Sequence, residues 1–191
     1  MRICDHHIVP RNWDHHYADP ANVDAHADPL LIQAAEMLPP ARALDLACGP
    51  GRHALYLARL GWHVTAVDSS AVAIGLLRTH SAGLPIESHL ADLERGAFAI
   101  APNTYQLICD FHYLQRDLFP QIREGAHPGG IFAGAIHLFQ DGCSETPRNP
   151  AFLLHPGELR SFFDGWKVLF YSEGGEPAGS RRTARIIARR A

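Results

Sequence analysis

The sequence predicts an α/β fold with a doubly wound, Rossmann-like sheet. From residue 42 onward, short apolar runs alternate with segments of helical period, a pattern typical of βαβ units and of a parallel sheet. A glycine-rich turn directly follows the first of these runs, where such folds connect a strand to a helix. Near the C-terminus, two apolar runs succeed one another with no helical period between them, which predicts a closing β-hairpin.

Seven strands are predicted, each from an apolar run bounded by turn residues: 43–47, 63–68, 85–91, 105–111, 130–137, 166–172 and 183–190. Helical periods lie between them in four places: from Gly51 to Gly61, from Ser69-Ser70 to about residue 80, over 116–125 and over 157–165. The two serines are suited to cap the second of these helices, because a side-chain oxygen can accept a hydrogen bond from an amide of the first turn.

We expect a single domain over residues 1–191, since one hydrophobic core typically serves about 100 to 200 residues. Residues 1–40 form an N-terminal lead. It has no clear period over its first 27 residues and then a helix at about 29–37, which ends before two prolines. Residues 41–191 form the Rossmann-like core.

Composition and charge argue against several classes of protein. The chain has 17 basic and 20 acidic residues, a net charge of −3, so a general basic surface for nucleic acid is missing. No apolar run approaches the ~18 residues of a membrane span, and the N-terminus lacks a signal-peptide core. Four cysteines without a CxxC pair are typical of a reduced, cytoplasmic protein. We expect a monomer or homodimer without nucleic-acid or membrane partners.

The glycine turn and its carboxylates are the most informative motif. Asp45 ends the first predicted strand, Gly49 and Gly51 follow in the turn, and Asp68 ends the second strand. Glycines in this arrangement bind either a dinucleotide or S-adenosylmethionine. A diphosphate is held by backbone N–H donors, and Pro50 has none. The Asp45 carboxylate would repel a diphosphate but attract the α-amino group of a methionine, which favours S-adenosylmethionine.

Two further strand ends extend this interpretation. Asp68, with Ser69 beside it, is predicted to accept hydrogen bonds from the two ribose hydroxyls. Asp92 and Leu93, after the third strand, are predicted to hold adenine through the carboxylate and the backbone amide. The alternative for each aspartate is an ordinary helix cap or turn residue. Three of them at successive strand ends, together with the glycine turn, favour a cofactor site.

The segment from residue 43 to 68, with its Asp-Leu-Ala-Cys-Gly-Pro-Gly-Arg core, resembles motif I and the acidic second motif of class I methyltransferases. More narrowly, residues 51–58 and 151–160 are similar to the tellurite-resistance (TehB-type) methyltransferase family, and the likeness covers nearly all of 13–191. The resemblance implies S-adenosyl-L-methionine as cofactor, S-adenosyl-L-homocysteine as product and a small-molecule methyl acceptor. It also implies a seven-stranded, three-layer α/β/α sandwich with an antiparallel final hairpin.

The resemblance also bears on individual residues. Trp13 and Tyr17 match aromatic residues that help to close over the cofactor in related enzymes; the alternative is a hydrophobic anchor for the lead. The tellurite-acting members carry an acidic residue after strand five and a His-Arg-Thr run in the final hairpin. Here the first position is His137, and the hairpin has Arg181-Arg182-Thr183 without the histidine. The acceptor is therefore left open, with tellurite, thiols and arsenite as soft candidates.

An acceptor is expected past strands four and five, where doubly wound sheets bind ligands. His112 and His137 are the predicted catalytic residues, acting as a base or orienting an oxyanion, and Phe111 is predicted to stack beside the cofactor. The alternative for all three is packing or surface exposure. The other candidates for lining this pocket are Asp110, Tyr113 and Arg116.

Two clusters of ionisable residues are given no functional role. Histidine pairs at residues 6–7 and 15–16 lack the i,i+4 spacing that places two ligands on one helix face, so no metal site is predicted. Arginines in the last strand are assigned to a solvated sheet edge: Arg181, Arg182, Arg185, Arg189 and Arg190. Two other functions stay open, an NAD-linked oxidoreductase and a catalytically idle module that binds S-adenosylmethionine.

Overall fold

A seven-stranded mixed sheet runs through the computed structural model, which describes residues 12–139, 149–175 and 182–191. The strand order is β3-β2-β1-β4-β5-β7-β6. The strands are β1 (Arg42–Leu46), β2 (His63–Asp68), β3 (Ile86–Leu90), β4 (Tyr105–Phe111), β5 (Ala126–His137), β6 (Lys167–Gly174) and β7 (Thr183–Arg189). Strands β1 to β5 are parallel, whereas β7 is antiparallel to both β5 and β6. This confirms the predicted Rossmann-like sheet and its antiparallel closing hairpin.

Helices cover both faces of the sheet: α1 (Trp13–Tyr17), α2 (Pro29–Glu36), α3 (Arg52–Arg59), α4 (Ala71–His80), α5 (Phe119–Gly125) and α6 (Glu158–Ser161). One core lies between the sheet and α2, α3 and α4, and contains Leu31, Leu57 and Trp62. The other lies between the sheet and α5 and α6, and contains Phe119 and Phe132. Among the described helices, none is long and apolar enough to cross a bilayer.

The direction of winding reverses between β1 and β4. β1 pairs with β2 on one side and with β4 on the other, with Leu46 opposite both Val67 and Asp110. The connection after β1 leads to α3 on one face and the connection after β4 leads to α5 on the other. In doubly wound folds this divergence places the ligand-binding crevice at the carboxyl edge of the sheet. The fold thus brings the ends of β1, β2 and β4 to one place.

Three elements differ from the sequence expectation. The lead contains the short helix α1, which has five residues and is too short to show a period; the Asn12 side chain caps it by accepting a hydrogen bond from His15 N–H at 3.0 Å. β5 begins at Ala126, four residues before the predicted start. The helix predicted at 157–165 ends after one turn, at Ser161.

The assignment to a solvated edge was wrong for Arg185, Arg189 and Arg190, because β7 lies inside the sheet between β5 and β6. Arg185 pairs with Asp28, the cap of α2, and Arg189 donates to the carbonyl of Met37 at the other end of that helix. Arg190 donates to Asn103 Oδ1 and to the carbonyls of Glu124 and Ala126 at the end of α5. These side chains fasten helices to the sheet. Arg181 lies outside the described residues.

We predict that Arg190→Ala lowers the free energy of unfolding by about 1–3 kcal/mol, because it removes hydrogen bonds between a charged donor and the carbonyls at the end of α5. Urea denaturation measures this change. Arg182→Ala is the matched control, since that residue is exposed and the hydrogen bond that it accepts from Leu138 N–H uses only its backbone carbonyl. The control is expected within about 0.5 kcal/mol of the parent. Equal losses in the two variants would contradict this assignment.

Candidate functional site

The turn after β1 can be formed only by small residues. Gly49 has φ +55° and Gly51 has φ +87°, conformations that side chains rarely adopt. A Cβ on Gly49 would lie 2.8 Å from the hydroxyl of Tyr17, and one on Gly51 would lie 2.3 Å from Cδ1 of Leu77. Ala47 also has a positive φ, 48°, at the end of β1. The backbone is therefore held in a constrained loop at the mouth of the crevice.

Asp68 fastens this loop to the end of β2. Its carboxylate accepts hydrogen bonds from Gly49 N–H at 2.7 Å and from Ser70 N–H at 2.8 Å, while Ser69 between them is exposed. The side chain is buried, and burial raises the pKa of Asp68 although both amide donors act to lower it. A carboxylate has about four lone-pair sites, so these two bonds leave acceptor capacity for a ligand.

Asp45 lies beneath the loop rather than at its open side, which differs from the expectation of a carboxylate open to a ligand. Only 1% of the residue is exposed. One oxygen accepts from Ala54 N–H in the first turn of α3 at 3.1 Å, and the other accepts from Cys109 Sγ at 3.3 Å. Asp45 thereby fixes the start of α3 to β1. Burial raises its pKa to about 7.

The N-terminal lead crosses the loop and is fastened to α4. Asp14 accepts hydrogen bonds from Ser70 Oγ at 2.6 Å and from Val72 N–H at 3.1 Å, and these bonds lower the pKa of its carboxyl. The rings of Trp13 and Tyr17 stack with centroids 5.9 Å apart, and the Tyr17 hydroxyl lies over Gly49. Of the two aromatic residues predicted to cover the site, Tyr17 therefore lies against the glycine loop and Trp13 stacks on Tyr17.

Phe111, at the end of β4, packs against the buried His53, which no motif or spacing in the sequence singles out. The His53 ring lies 4.3 Å from that of Phe111, and its Nδ1 is 3.9 Å from Asp45 Oδ1. Burial lowers the pKa of His53 to about 3, so the ring is neutral at physiological pH. Its Nε2 is buried without a hydrogen-bond partner among the described residues.

Asp92 and Leu93 follow β3 in a short 3-10 turn. Asp92 caps that turn by accepting from Glu94 N–H at 3.0 Å, and its other oxygen lies 3.2 Å from Nε of Arg95. Leu93 is buried in the core against α5 and α6. Asp92 therefore acts as a cap, which was the alternative to a ligand-binding role, and its hydrogen bond fixes the start of the turn.

His112, directly after β4, and His137, at the end of β5, come together at the carboxyl edge of the sheet. Their rings stack with centroids 4.8 Å apart and planes 20° apart. His112 has a positive φ of 68°, and its N–H donates to the carbonyl of Ala135 at 2.7 Å. This backbone conformation is costly for a residue other than glycine and is maintained by the neighbouring strand.

Arg116 is not available to an acceptor. Its guanidinium donates to both carboxylate oxygens of Glu158, at 2.6 and 3.0 Å. It also donates to the carbonyls of Ala151 and Leu153 at 2.6 and 2.9 Å. These bonds from Arg116 hold the segment 151–159, which includes the Pro-Gly-Glu-Leu run at 156–159, against the residues after β4.

The remaining candidates from the sequence are the histidine pairs and the four cysteines. Among the described residues, no group of three or more His, Cys, Asp or Glu side chains is arranged to hold a metal ion. The histidines at positions 6 and 7 and the cysteines at positions 4 and 143 lie outside the described residues. The free thiols of Cys48 and Cys109 are both buried.

We predict that the raised pKa of Asp45 makes the stability of the chain depend on pH. Between its ordinary value of 3.8 and about 7, the folded chain binds a proton at Asp45 that the unfolded chain has lost, so stability falls as pH rises through that window. Asp45→Asn should remove this pH-dependent contribution to the free energy of unfolding, because an amide does not titrate. The stability of the variant relative to the parent should then rise between about pH 4 and pH 8, by up to about 4 kcal/mol.

Denaturant unfolding of parent and variant at several pH values measures this difference. The control is Asp164→Asn, an exposed aspartate that should show no comparable change. A constant difference between the Asp45→Asn variant and the parent across this range would contradict a buried, proton-binding Asp45.

The family model described as "Tellurite resistance protein TehB" matches residues 10–181. A curated relative, the probable S-adenosyl-L-methionine-dependent methyltransferase TehB of Haemophilus influenzae, is 30% identical over 154 residues, which cover 75% of this chain and 52% of the relative. Hemagglutinin 1 of Eikenella corrodens is 28% identical over 150 residues, covering 75% of this chain and 49% of that protein. The chain thus spans about half the length of the curated relatives it matches.

Solved structures give the same picture of the fold. The crystal structure of TehB from Haemophilus influenzae superposes with a TM-score of 0.76 at 25% identity, over 94% of this chain and 67% of that one. Burkholderia thailandensis 1,6-didemethyltoxoflavin-N1-methyltransferase, with 1,6-didemethyltoxoflavin and S-adenosylhomocysteine bound, superposes with a TM-score of 0.61 at 18% identity, covering 85% and 79% of the two chains. Because the family model extends over most of the sequence, this chain belongs to the TehB family of tellurite-resistance proteins.

Proposed function

We propose that this chain is an S-adenosyl-L-methionine-dependent methyltransferase that acts on a small-molecule acceptor and releases S-adenosyl-L-homocysteine. The observation that carries the proposal is the hydrogen bond from Gly49 N–H by which Asp68 holds the proline-interrupted glycine loop at the reversal point of the sheet. Membership of the TehB family and the names of the Haemophilus influenzae relatives support the same activity. The NAD-linked alternative gains no support from them.

The described residues fit this cofactor. The constrained loop leaves no room for a Cβ at Gly49, as expected where a covering ring approaches the backbone closely, and at Gly51 the space is taken by Leu77 of α4. Asp68 keeps acceptor capacity for ribose hydroxyls, with Ser69 exposed beside it. Trp13 and Tyr17 would cover the nucleoside from the lead.

The remaining contacts divide between adenine and methionine. The Asp92 carboxylate and the Leu93 amide would hold the adenine edge, and Phe111 would bound the site from β4. Asp45 would act chiefly by fixing the start of α3, and with it the loop that faces the methionine end. This supporting role replaces the direct contact with the amino group that its charge first indicated.

The chemistry asked of the protein is limited. A sulfonium-bound methyl group is already activated for displacement, so the chain must align the acceptor within ~3–3.5 Å of the methyl carbon and exclude water. A base is needed when the acceptor is protonated at its nucleophilic atom, as a thiol is. His112 and His137 lie side by side at the acceptor side of the crevice and are the groups we assign to this task.

The acceptor class follows from these groups. Two imidazoles suit a soft nucleophile whose proton must be removed, such as a thiol, or a small oxyanion of the tellurite type that they can orient. Arg116, which would otherwise favour an anion, is bound to Glu158. We therefore propose a thiol-type or tellurite-type acceptor, with thiols to be tested first.

We predict that Asp68→Ala weakens binding of S-adenosylhomocysteine by about 1.5–3 kcal/mol, the range for a hydrogen bond to a charged group. The loss has two sources, the missing ribose acceptor and the release of Gly49 N–H. Isothermal titration calorimetry measures it. Asp164→Ala, the same change at an exposed position, should leave affinity unchanged. Affinity within twofold of the parent in the Asp68 variant would remove this residue from the site.

We predict that His137→Ala and His112→Ala each lower kcat by about 10²–10⁴-fold for an acceptor that must lose a proton, with cofactor affinity preserved. Production of S-adenosylhomocysteine is followed across thiols, tellurite and small hydroxylated compounds. His63→Ala, at the opposite edge of the sheet, is the control and should keep full turnover. Full turnover in both site variants would show that neither histidine takes part in the reaction. Cofactor binding by the unmodified chain without turnover of any acceptor would favour the catalytically idle binding module.

A further inference from the structure

Gln115 joins two strand ends that the sequence treats separately. It follows β4, and its side chain lies between the segment after that strand and the 3-10 turn after β3. Its Oε1 is 2.7 Å from the hydroxyl of Tyr113, and its Nε2 donates to the carbonyl of Leu93 at 3.2 Å. Gln115 and Leu93 are 22 residues apart in the chain, so this contact depends on the fold.

The chemistry of the partners fixes the orientation of the amide. A backbone carbonyl can only accept, so the NH₂ group of Gln115 must face Leu93. Its oxygen then faces Tyr113, whose hydroxyl must donate. Burial and the nearby carboxylates of Glu94, Asp110 and Asp92 raise the pKa of Tyr113, which keeps the phenol protonated and able to donate. The bridge therefore has a single favourable hydrogen-bond direction.

The surroundings also account for a neutral side chain at this position. In addition to those three carboxylates, that of Asp117 also raises the pKa of Tyr113. A carboxylate in place of the amide would add a further negative charge and would present an acceptor to the acceptor at Leu93. Glutamine satisfies both neighbours without charge.

We propose that Gln115 is a positioning residue that holds the Asp92–Leu93 turn in register for adenine and thereby sets the base specificity of the cofactor site. The inference rests on the proposed function, in which this turn contacts adenine. Asp92 is fixed by its own capping bond and Leu93 by its buried side chain. The carbonyl of Leu93 accepts from Gly96 N–H at 3.0 Å within the turn, and its second hydrogen bond, from Gln115 Nε2, ties the turn to the segment after β4.

The base of the ligand provides the test. Adenine offers an amine donor and a ring-nitrogen acceptor on the edge that Asp92 and Leu93 would contact, whereas hypoxanthine offers a carbonyl acceptor and an N–H donor there. Calorimetry with S-adenosylhomocysteine and with S-inosylhomocysteine gives the ratio of their dissociation constants. The unmodified chain should prefer the adenine compound by at least about tenfold, since the hypoxanthine compound leaves both polar groups of the turn mismatched.

Two variants separate positioning from stability. Gln115→Glu has nearly the same shape, keeps an acceptor for Tyr113 and loses the donor to Leu93; Gln115→Met loses both bonds. Both should reduce the base preference by about three- to tenfold, the value of one misplaced hydrogen bond. Tyr113→Phe keeps the bond to Leu93 and should retain most of the preference. Gln106→Met, which removes the glutamine that accepts from Arg42 N–H at the opposite edge, should retain all of it.

The outcomes separate the two proposals. An unchanged ratio in both Gln115 variants, or an equal loss of affinity for the two compounds, overturns the positioning role, because a merely structural contact would weaken both ligands alike. If the unmodified chain binds neither compound, the proposed function fails and this inference fails with it. Thermal unfolding of each variant shows that the ratio is measured on folded protein.

Discussion

The bond between the Asp68 carboxylate and the Gly49 amide is the constraint around which the candidate site is arranged. It is short, 2.7 Å, and buried, and it joins the end of β2 to the turn after β1. Because burial alone would favour the neutral acid, the two amide donors at Gly49 and Ser70 are what stabilise the charged form. A carboxylate held by backbone donors keeps a fixed direction, so its unused lone pairs are preorganised for a ligand.

Three other aspartates near the carboxyl edge of the sheet also accept hydrogen bonds from backbone amides. Asp14 accepts from an amide in the first turn of α4, Asp45 fixes the start of α3, and Asp92 caps the turn after β3. Capping and ligand binding are not exclusive roles, since a cap uses only part of a carboxylate. Burial decides how much remains: Asp45 is 1% exposed and supports the site from below, whereas Asp92 is partly exposed at the edge of the crevice.

The opposite side of the crevice depends on the segment that follows β5. The clamp between Arg116 and Glu158 holds that segment against the end of β4, and Leu154 N–H donates to the carbonyl of His137 at 2.9 Å. This contact lies beside the stacked rings of His112 and His137. An acceptor would therefore meet two imidazoles on a backbone braced by its neighbours, while the nearby arginine serves structure.

The sequence by itself determined the order of strands and helices, the crevice at the glycine turn and the strand ends that carry polar residues. These are local properties, encoded in hydrophobic period and turn chemistry over a few residues, and the structure confirmed the sheet and its strands. It did not determine which polar groups other parts of the chain engage. Arg116 meets Glu158 across 42 residues, Gln115 meets Leu93 across 22, and the arginines of β7 lie inside the sheet. Only the tertiary structure decided these pairings, because each depends on which strands become neighbours and on which face a side chain lies.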